Sequence, residues 1–429
     1  MNGIVISGGR VIDPAHGLDR ETDLFIVDGR VAALDQAPAG FAASVEIDAR
    51  EKWVCPGLID LATQPREPGQ TQKASISSEA KAAAAGGITS FCCQPNTDPV
   101  VDLPTVVELL RRRSEEATAA RLLPLGALTQ NLSGEKLSAM AALRDAGCVA
   151  MSDGGRPVVN SQVLRRALEY ADTFEITVIL TPRDPWLSEG GLAHEGAVST
   201  RLGLIGIPEA AETAALARDL ALVEQTGTRT HFGRLSTARS VELIAQALDA
   251  GLPVSADVAA HQLFLTELDL WDFNHDAYVQ PPLRTVTDRE ALRRGVASGA
   301  IGVICSDHQP HDPDAKSGPL AAIEPGISGL DSLLALVLRL VDEGLLKLPQ
   351  ALATVTCNPA RVLGIDRGHL APGAQADICV IDPHAVWRLE GANIRSRGRN
   401  TPFRGWEFTG RATHTLVDGR LVFSLDHAG

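Results

Sequence analysis

The densest run of reactive side chains is Ser306-Asp307-His308-Gln309-Pro310-His311. Two imidazoles three residues apart beside a carboxylate could hold a metal ion or move protons. A second acidic point is Asp153, inside Ser152-Asp153-Gly154-Gly155-Arg156, and a further imidazole, His231, lies within an apolar run. The adjacent thiols Cys92 and Cys93 could supply part of a metal motif, but no second cysteine or histidine pair stands near them. Together with Cys55, Cys148, Cys305, Cys357 and Cys379 they lack disulfide-framework spacing and read as buried reduced thiols. His194, His275, His369, His384, His414 and His427 carry no spacing and read as surface or loop residues.

The elements that must position these groups alternate. Apolar runs occur at Trp53–Leu61, Ile88–Gln94, Arg121–Leu128, Cys148–Ser152, Thr177–Thr181, Arg229–Leu235, Pro253–Val258 and Ile301–Ser306. Helical stretches follow them at Ser77–Ala85, Pro104–Glu116, Glu135–Ala146, Ser161–Asp172, Pro208–Thr226, Ala238–Ala250, Asp288–Ala297 and Leu330–Glu343. Pro104 and Pro208 suit a helix's first turn, and Gly86, Gly147 and Gly251 suit left-handed C-caps. Eight such units predict an α/β fold, a (β/α)8 TIM barrel, whose chemistry sits just past the C-terminal ends of its strands. An open doubly wound sheet is disfavoured because no glycine-rich dinucleotide fingerprint follows an early strand.

Outside this region the texture is short strands and turns, with Asp28-Gly29 and Asp418-Gly419 as hairpin signals. Both ends therefore predict one small β-sandwich module built from residues 1–52 and 366–429, flanking a barrel over 53–365. A hydrophobic fraction of 45% with 21% charged residues is that of a globular protein. The net charge of −14 argues against nucleic acid as a partner. The longest apolar runs are too short to cross a bilayer, and the start lacks a basic, cleavable leader pattern. A cytoplasmic location is the expectation.

The strand ends carry a specific resemblance. Pro56-Gly57-Leu58-Ile59-Asp60-Leu61-Ala62-Thr63-Gln64-Pro65-Arg66-Glu67-Pro68-Gly69 resembles the dihydroorotase signature Pro-Gly-Leu-Ile-Asp-x-His-x-His-x-Arg-x-Pro-Gly. Gln94-Pro95-Asn96-Thr97-Asp98-Pro99, Ser152–Val158, Pro281-Pro282-Leu283-Arg284, Ser306–His311, Asn358-Pro359-Ala360 and Pro372–Asp377 are similar to later motifs of the type I branch, in order. The resemblance implies the amidohydrolase fold and a zinc enzyme that interconverts carbamoyl aspartate and dihydroorotate.

The departures fall on the metal positions. Ala62 and Gln64 replace the paired histidines, Thr181 and Arg234 replace the later two, and His231 lies three residues too early to substitute. Asp153 and Asp307 remain, as relics of a bridging carboxylate position and a proton shuttle. Zinc catalysis ordinarily needs three protein ligands. Alanine and arginine cannot serve, and glutamine and threonine serve poorly. Without the metal nothing evident lowers the pKa of water. Zinc is expected for the family and expected absent here.

Removing a metal would leave Asp153 and Asp307 repelling one another, so Arg234 is expected to pair with at least one of them. Arg66, Asn96 and His311 match positions that imply substrate contacts, and Gln280 replaces an expected asparagine. For His308 and His311 the resemblance favours a non-metal role, and for His261 a structural one. The resemblance extends to inactive homologues that assemble with aspartate transcarbamoylase. It implies a scaffolding subunit in pyrimidine biosynthesis, in a hetero-oligomer with the transcarbamoylase catalytic subunit, or also as a homodimer. An active dihydroorotase with an atypical site, and a sensor of a pyrimidine intermediate through Arg66 and Asn96, are the alternatives.

Overall fold

The computed structural model describes residues 2–425, so His427 lies outside the described residues. Leu58–Thr63, Ile88–Cys93, Arg121–Ala127, Ala150–Ser152, Val178–Leu180, Thr230–Phe232, Val254–Ala259 and Val303–Cys305 are hydrogen-bonded in chain order, parallel throughout. These are the first to eighth barrel strands. Most are buried along their whole length, which is why they read as unbroken apolar runs rather than alternating ones. The sheet closes where Thr63 bridges His308. The His308 N–H donates to the Ala62 carbonyl at 3.1 Å, and the Gln64 N–H to the His308 carbonyl at 2.8 Å.

Helices Ile76–Ala85, Pro104–Ala117, Met140–Ala146, Ser161–Thr173, Ala210–Thr226, Ala238–Asp249, Val286–Ser298 and Leu333–Asp342 follow the strands. Side-chain oxygens of Ser75, Asn160, Thr237 and Thr285 cap four of their starts. Three local expectations change. Gly86 has φ −85°, and the left-handed turn is made one residue later by Gly87. The stretch expected to be helical from Glu135 begins only at Met140. There the Ser138 N–H is committed to the Leu128 carbonyl, and the Lys136 carbonyl to the Gln130 N–H. Pro208 stands just ahead of its helix, which opens at Ala210.

Trp53–Leu61 reads as one run but serves two sheets. Trp53–Pro56 pairs antiparallel with Trp53's partner Ile381 through to Pro56's partner Ile378, and the barrel begins at Leu58. Gly57 makes the break because a Cβ there would come 2.1 Å from the Thr89 methyl. The terminal sheet joins Asn2–Asp13, Leu18–Val27, Arg30–Leu34, Ala42–Asp48, Trp53–Pro56, Ile378–Arg388, Glu407–Val417 and Arg420–Ser424. Its core includes Ile6, Val11, Leu24, Ile26, Val54, Ile378, Val380 and Leu416. Asp28-Gly29 and Asp418-Gly419 are two-residue hairpin turns with φ positive at both residues. The two turns abut: the Gly419 N–H donates to the Ala376 carbonyl, and the Ala376 N–H to that of Gly29.

Candidate functional site at the barrel mouth

Three consecutive residues past the eighth strand divide between two tasks. Ser306 and His308 point into the seam with the first strand. Asp60 accepts the Ser306 N–H at 3.0 Å, the Ala62 N–H at 3.3 Å and the Ser306 hydroxyl. Burial, opposed by these donors, raises Asp60 to about 6. His308 Nδ1 accepts the Gly329 N–H at 3.1 Å, so its proton is on Nε2, which donates to Glu79 at 2.9 Å. Glu79 also accepts from the Ser396 and Ser78 hydroxyls and the Arg397 N–H. His308 is thus a structural strut and turns away from the mouth.

Asp307 points the other way. Arg234 Nη1 donates to Asp307 Oδ1 at 3.2 Å, and Arg234 Nη2 to the Thr181 hydroxyl at 2.7 Å. The carboxylate expected to meet Arg234 is therefore Asp307 and not both: Asp153 instead accepts the Thr181 and Gly155 N–H groups at 3.0 and 2.9 Å. Burial raises both aspartates above the usual carboxylate range against the pull of Arg234. Burial works against the Arg234 charge too, but Asp307, Asp153 and Asp257 outweigh it and hold the guanidinium protonated. Arg234 and Asp307 have φ of 61° and 45°, left-handed conformations rare outside glycine. Arg234 is held there in part by its own N–H, which donates to Asp257 Oδ1 at 2.7 Å.

Asp257 carries this wall, and no motif had drawn attention to it. It takes His231 Nε2 at 2.9 Å and the Cys305 thiol at 3.3 Å besides the Arg234 N–H. His231 is fully buried, with Nδ1 on the Ser255 hydroxyl, and does not reach the mouth. A lone charged residue in the seventh strand, beside a histidine-bearing sixth, was the available signal. His261, also buried, is held neutral at about 3 by desolvation and then by the nearby Arg234 charge.

The remaining expected contacts are rearranged. Arg66 Nε donates to the Pro310 carbonyl at 2.9 Å and Nη1 to Gln64 Oε1 at 2.7 Å, with Nη2 3.0 Å from His311 Nε2. Burial lowers Arg66 to about 10 and, with Arg66 beside it, His311 to about 3. Asn96 lines the cleft. Gln280 Oε1 accepts from Arg183 Nη1 at 3.1 Å. His194, expected at the surface, is buried with Nδ1 3.1 Å from Arg284 Nη1. The cleft lined by Gln64, Asn96, Arg183, Arg234, Gln280 and Arg284 has a volume of about 230 Å³.

A family model described as Dihydro-orotase-like matches residues 51–240, and one described as Amidohydrolase family matches residues 334–423. The chain is 52% identical over 419 residues to the Dihydroorotase-like protein of Pseudomonas aeruginosa, across 98% of this chain and 99% of that one. It belongs to the dihydroorotase-like family. It is also 42% identical over 420 residues to a Dihydroorotase of Geobacter sp., across 98% and 99% of the two chains. The L-hydantoinase (dihydropyrimidinase) of Arthrobacter aurescens superposes with a TM-score of 0.88 at 23% identity, over 99% of this chain and 96% of that one. That likeness shows the shared fold.

Within this dihydroorotase-like frame the four metal positions can be tested for fit. Ala62 offers a methyl group packed with Ala259 and Cys305. Gln64 Oε1 is committed to Arg66, and the Thr181 hydroxyl to Arg234. The fourth position is itself a cation. Among the described residues no cluster of three or more His, Cys, Asp or Glu is arranged to hold a metal ion. The donor set does not fit zinc. All seven cysteines are free and buried, and burial raises Cys92 and Cys305 well above the usual thiol range. No helix among the described residues is long and apolar enough to cross a membrane.

Proposed function

We propose that this dihydroorotase-like chain is a non-catalytic subunit of pyrimidine biosynthesis that acts in the cytoplasm by binding and stabilising aspartate transcarbamoylase. The observation that carries the first half is Arg234. Its guanidinium lies between Asp307 and Thr181, where a metal-dependent member would need open donors. A methyl group at Ala62 removes a further donor, which supports a site without the metal that would ionise an attacking water at neutral pH. Retention of the whole barrel and its closing seam supports a role in which the folded surface is what matters. The transcarbamoylase partnership rests on the family resemblance.

The test is co-expression with the cognate aspartate transcarbamoylase, followed by sizing and by transcarbamoylase and dihydroorotase assays of each protein alone and together. The expected result is co-migration, with transcarbamoylase activity dependent on this chain and no dihydroorotate turnover in any zinc concentration. Separate migration with a fully active lone transcarbamoylase would overturn the scaffolding role. A second reading, an active enzyme, is favoured by the name Dihydroorotase borne by relatives 42% identical to this chain. Stoichiometric zinc in the purified chain and chelator-sensitive turnover would establish it.

A further inference from the structure

We infer that the cleft at the barrel mouth is a binding site for a compact oxyanion, a phosphate or carboxylate group, gripped by Arg183 and Arg156 above Arg234. The inference concerns ligand binding and does not rest on the scaffolding role. Four guanidinium groups line the cleft: Arg156, Arg183, Arg234 and Arg284. The single acidic side chain among the lining residues is Glu212, which acts on Arg284 and is itself hydrogen-bonded. It accepts the N–H and hydroxyl groups of both Ser236 and Thr237.

Carboxylates offset part of this charge without pairing with every guanidinium: Asp307, Asp153 and Asp257 act on Arg234, Glu212, Asp288 and Glu209 on Arg284, and Asp153 on Arg183. Of the four, Arg234 alone has a carboxylate of the described residues within ion-pair distance, Asp307 at 3.2 Å. Arg284 is buried and donates to the Ser236 hydroxyl and the Ile207 carbonyl. Half-buried Arg183 bonds only Gln280 through its side chain, and its Nε is buried with no hydrogen-bond partner. Burial, and then the nearby Arg234 charge, make the Arg183 cation harder to hold. Arg156 is exposed, and no carboxylate among the described residues lies within ion-pair distance of it. Like charges so placed repel, and an anion between them removes that cost while filling an empty donor. A site that would coordinate a cation in a metal-dependent relative thus presents donors to an anion here.

The volume favours a small ligand, below the usual range for drug-sized pockets. Arg66 is excluded as the anchor because its guanidinium is spent on Pro310, Gln64 and His311. Arg156 and Asn96 also line an adjoining cleft of about 200 Å³, which leaves room for a ligand to extend past the anionic group.

The experiment is a thermal-shift and calorimetric titration of the full-length chain with inorganic phosphate, malate, citrate and dihydroorotate, against chloride at matched ionic strength. At least one oxyanion is expected to raise the midpoint saturably, and the ranking separates phosphate from carboxylate ligands. Arg183→Ala and Arg156→Ala should each weaken binding about tenfold, the loss expected for one charged hydrogen-bonding group. Neither arginine holds a carboxylate, so both variants should keep the parent circular dichroism. Arg183→Lys, which keeps the charge but not the fork, should fall between. No shift beyond chloride, or a shift that survives both alanine variants, would overturn the site. So would dihydroorotate binding abolished by Arg66→Ala but not by Arg183→Ala.

Discussion

The seam between the first and eighth barrel strands and the wall formed by strands four to seven lie on opposite sides of Asp307, and both bury carboxylates. At the seam Asp60 and Glu79 are met by hydroxyls, backbone N–H groups and one imidazole. At the wall Asp307 is met by a guanidinium. The seam residues close the barrel, so their types are fixed by the fold whatever chemistry the mouth performs. The wall residues answer only to what occupies the centre, and there an internal cation stands. A motif such as Ser-Asp-His is therefore two kinds of evidence, one for each direction its side chains point.

The comparison can be broken at three places. Glu79→Ala should be the most damaging, at about 4–5 kcal/mol, because it strands His308 and three further donors in a buried seam. Chemical unfolding should show it, and loss of soluble protein would be the extreme form. Arg234→Met should cost about 3 kcal/mol by leaving Asp307 buried without a cation, with only the Gln309 amide donating to it. Adding Asp307→Asn should return much of that loss. A double-mutant cycle with no coupling would mean that the ion pair does not organise the wall.

The third effect is no larger than the second and is read as a pH dependence. Asp60 rises from 3.8 to about 6 in the fold, so it favours the protonated folded state. Its contribution is full below about pH 4 and fades as pH rises through 6, by on the order of 3 kcal/mol. Glu79 has the opposite sign: the His308 and hydroxyl donors outweigh burial and lower it, so its contribution fades toward acid. Relative to an Asp60→Asn variant, the parent should lose stability between pH 4 and 7. Parallel stability profiles for the two proteins would remove Asp60 from the account.

The barrel was legible because strands buried on both faces leave unbroken apolar runs, and because Gly147 and Pro104 punctuate the helices where the backbone needs them. Ala42–Asp48 was not, since only Ile47 is buried in it and no apolar pattern marks the edge. At the site, charge reasoning reached the Arg234 and Asp307 pair but not Thr181 as the second partner. Whether a hydroxyl or a carboxylate fills the other arm of a guanidinium depends on distances the sequence does not carry. His194 was misplaced at the surface for a related reason: burial and inward bonding of an aromatic side chain depend on distant loops.

The terminal sheet has a consequence for synthesis. Trp53–Pro56 leaves the ribosome early, yet its antiparallel partner, beginning at Ile378, follows more than three hundred residues later. At ordinary elongation rates that edge waits on the order of tens of seconds for its neighbour. Throughout that interval the nascent chain carries an open strand edge able to pair with other chains. The barrel can assemble behind it, but the sheet that contains Trp53–Pro56 is complete only after Ile378–Ile381 are made. For this protein, a late truncation leaves the beginning of the chain as the exposed part.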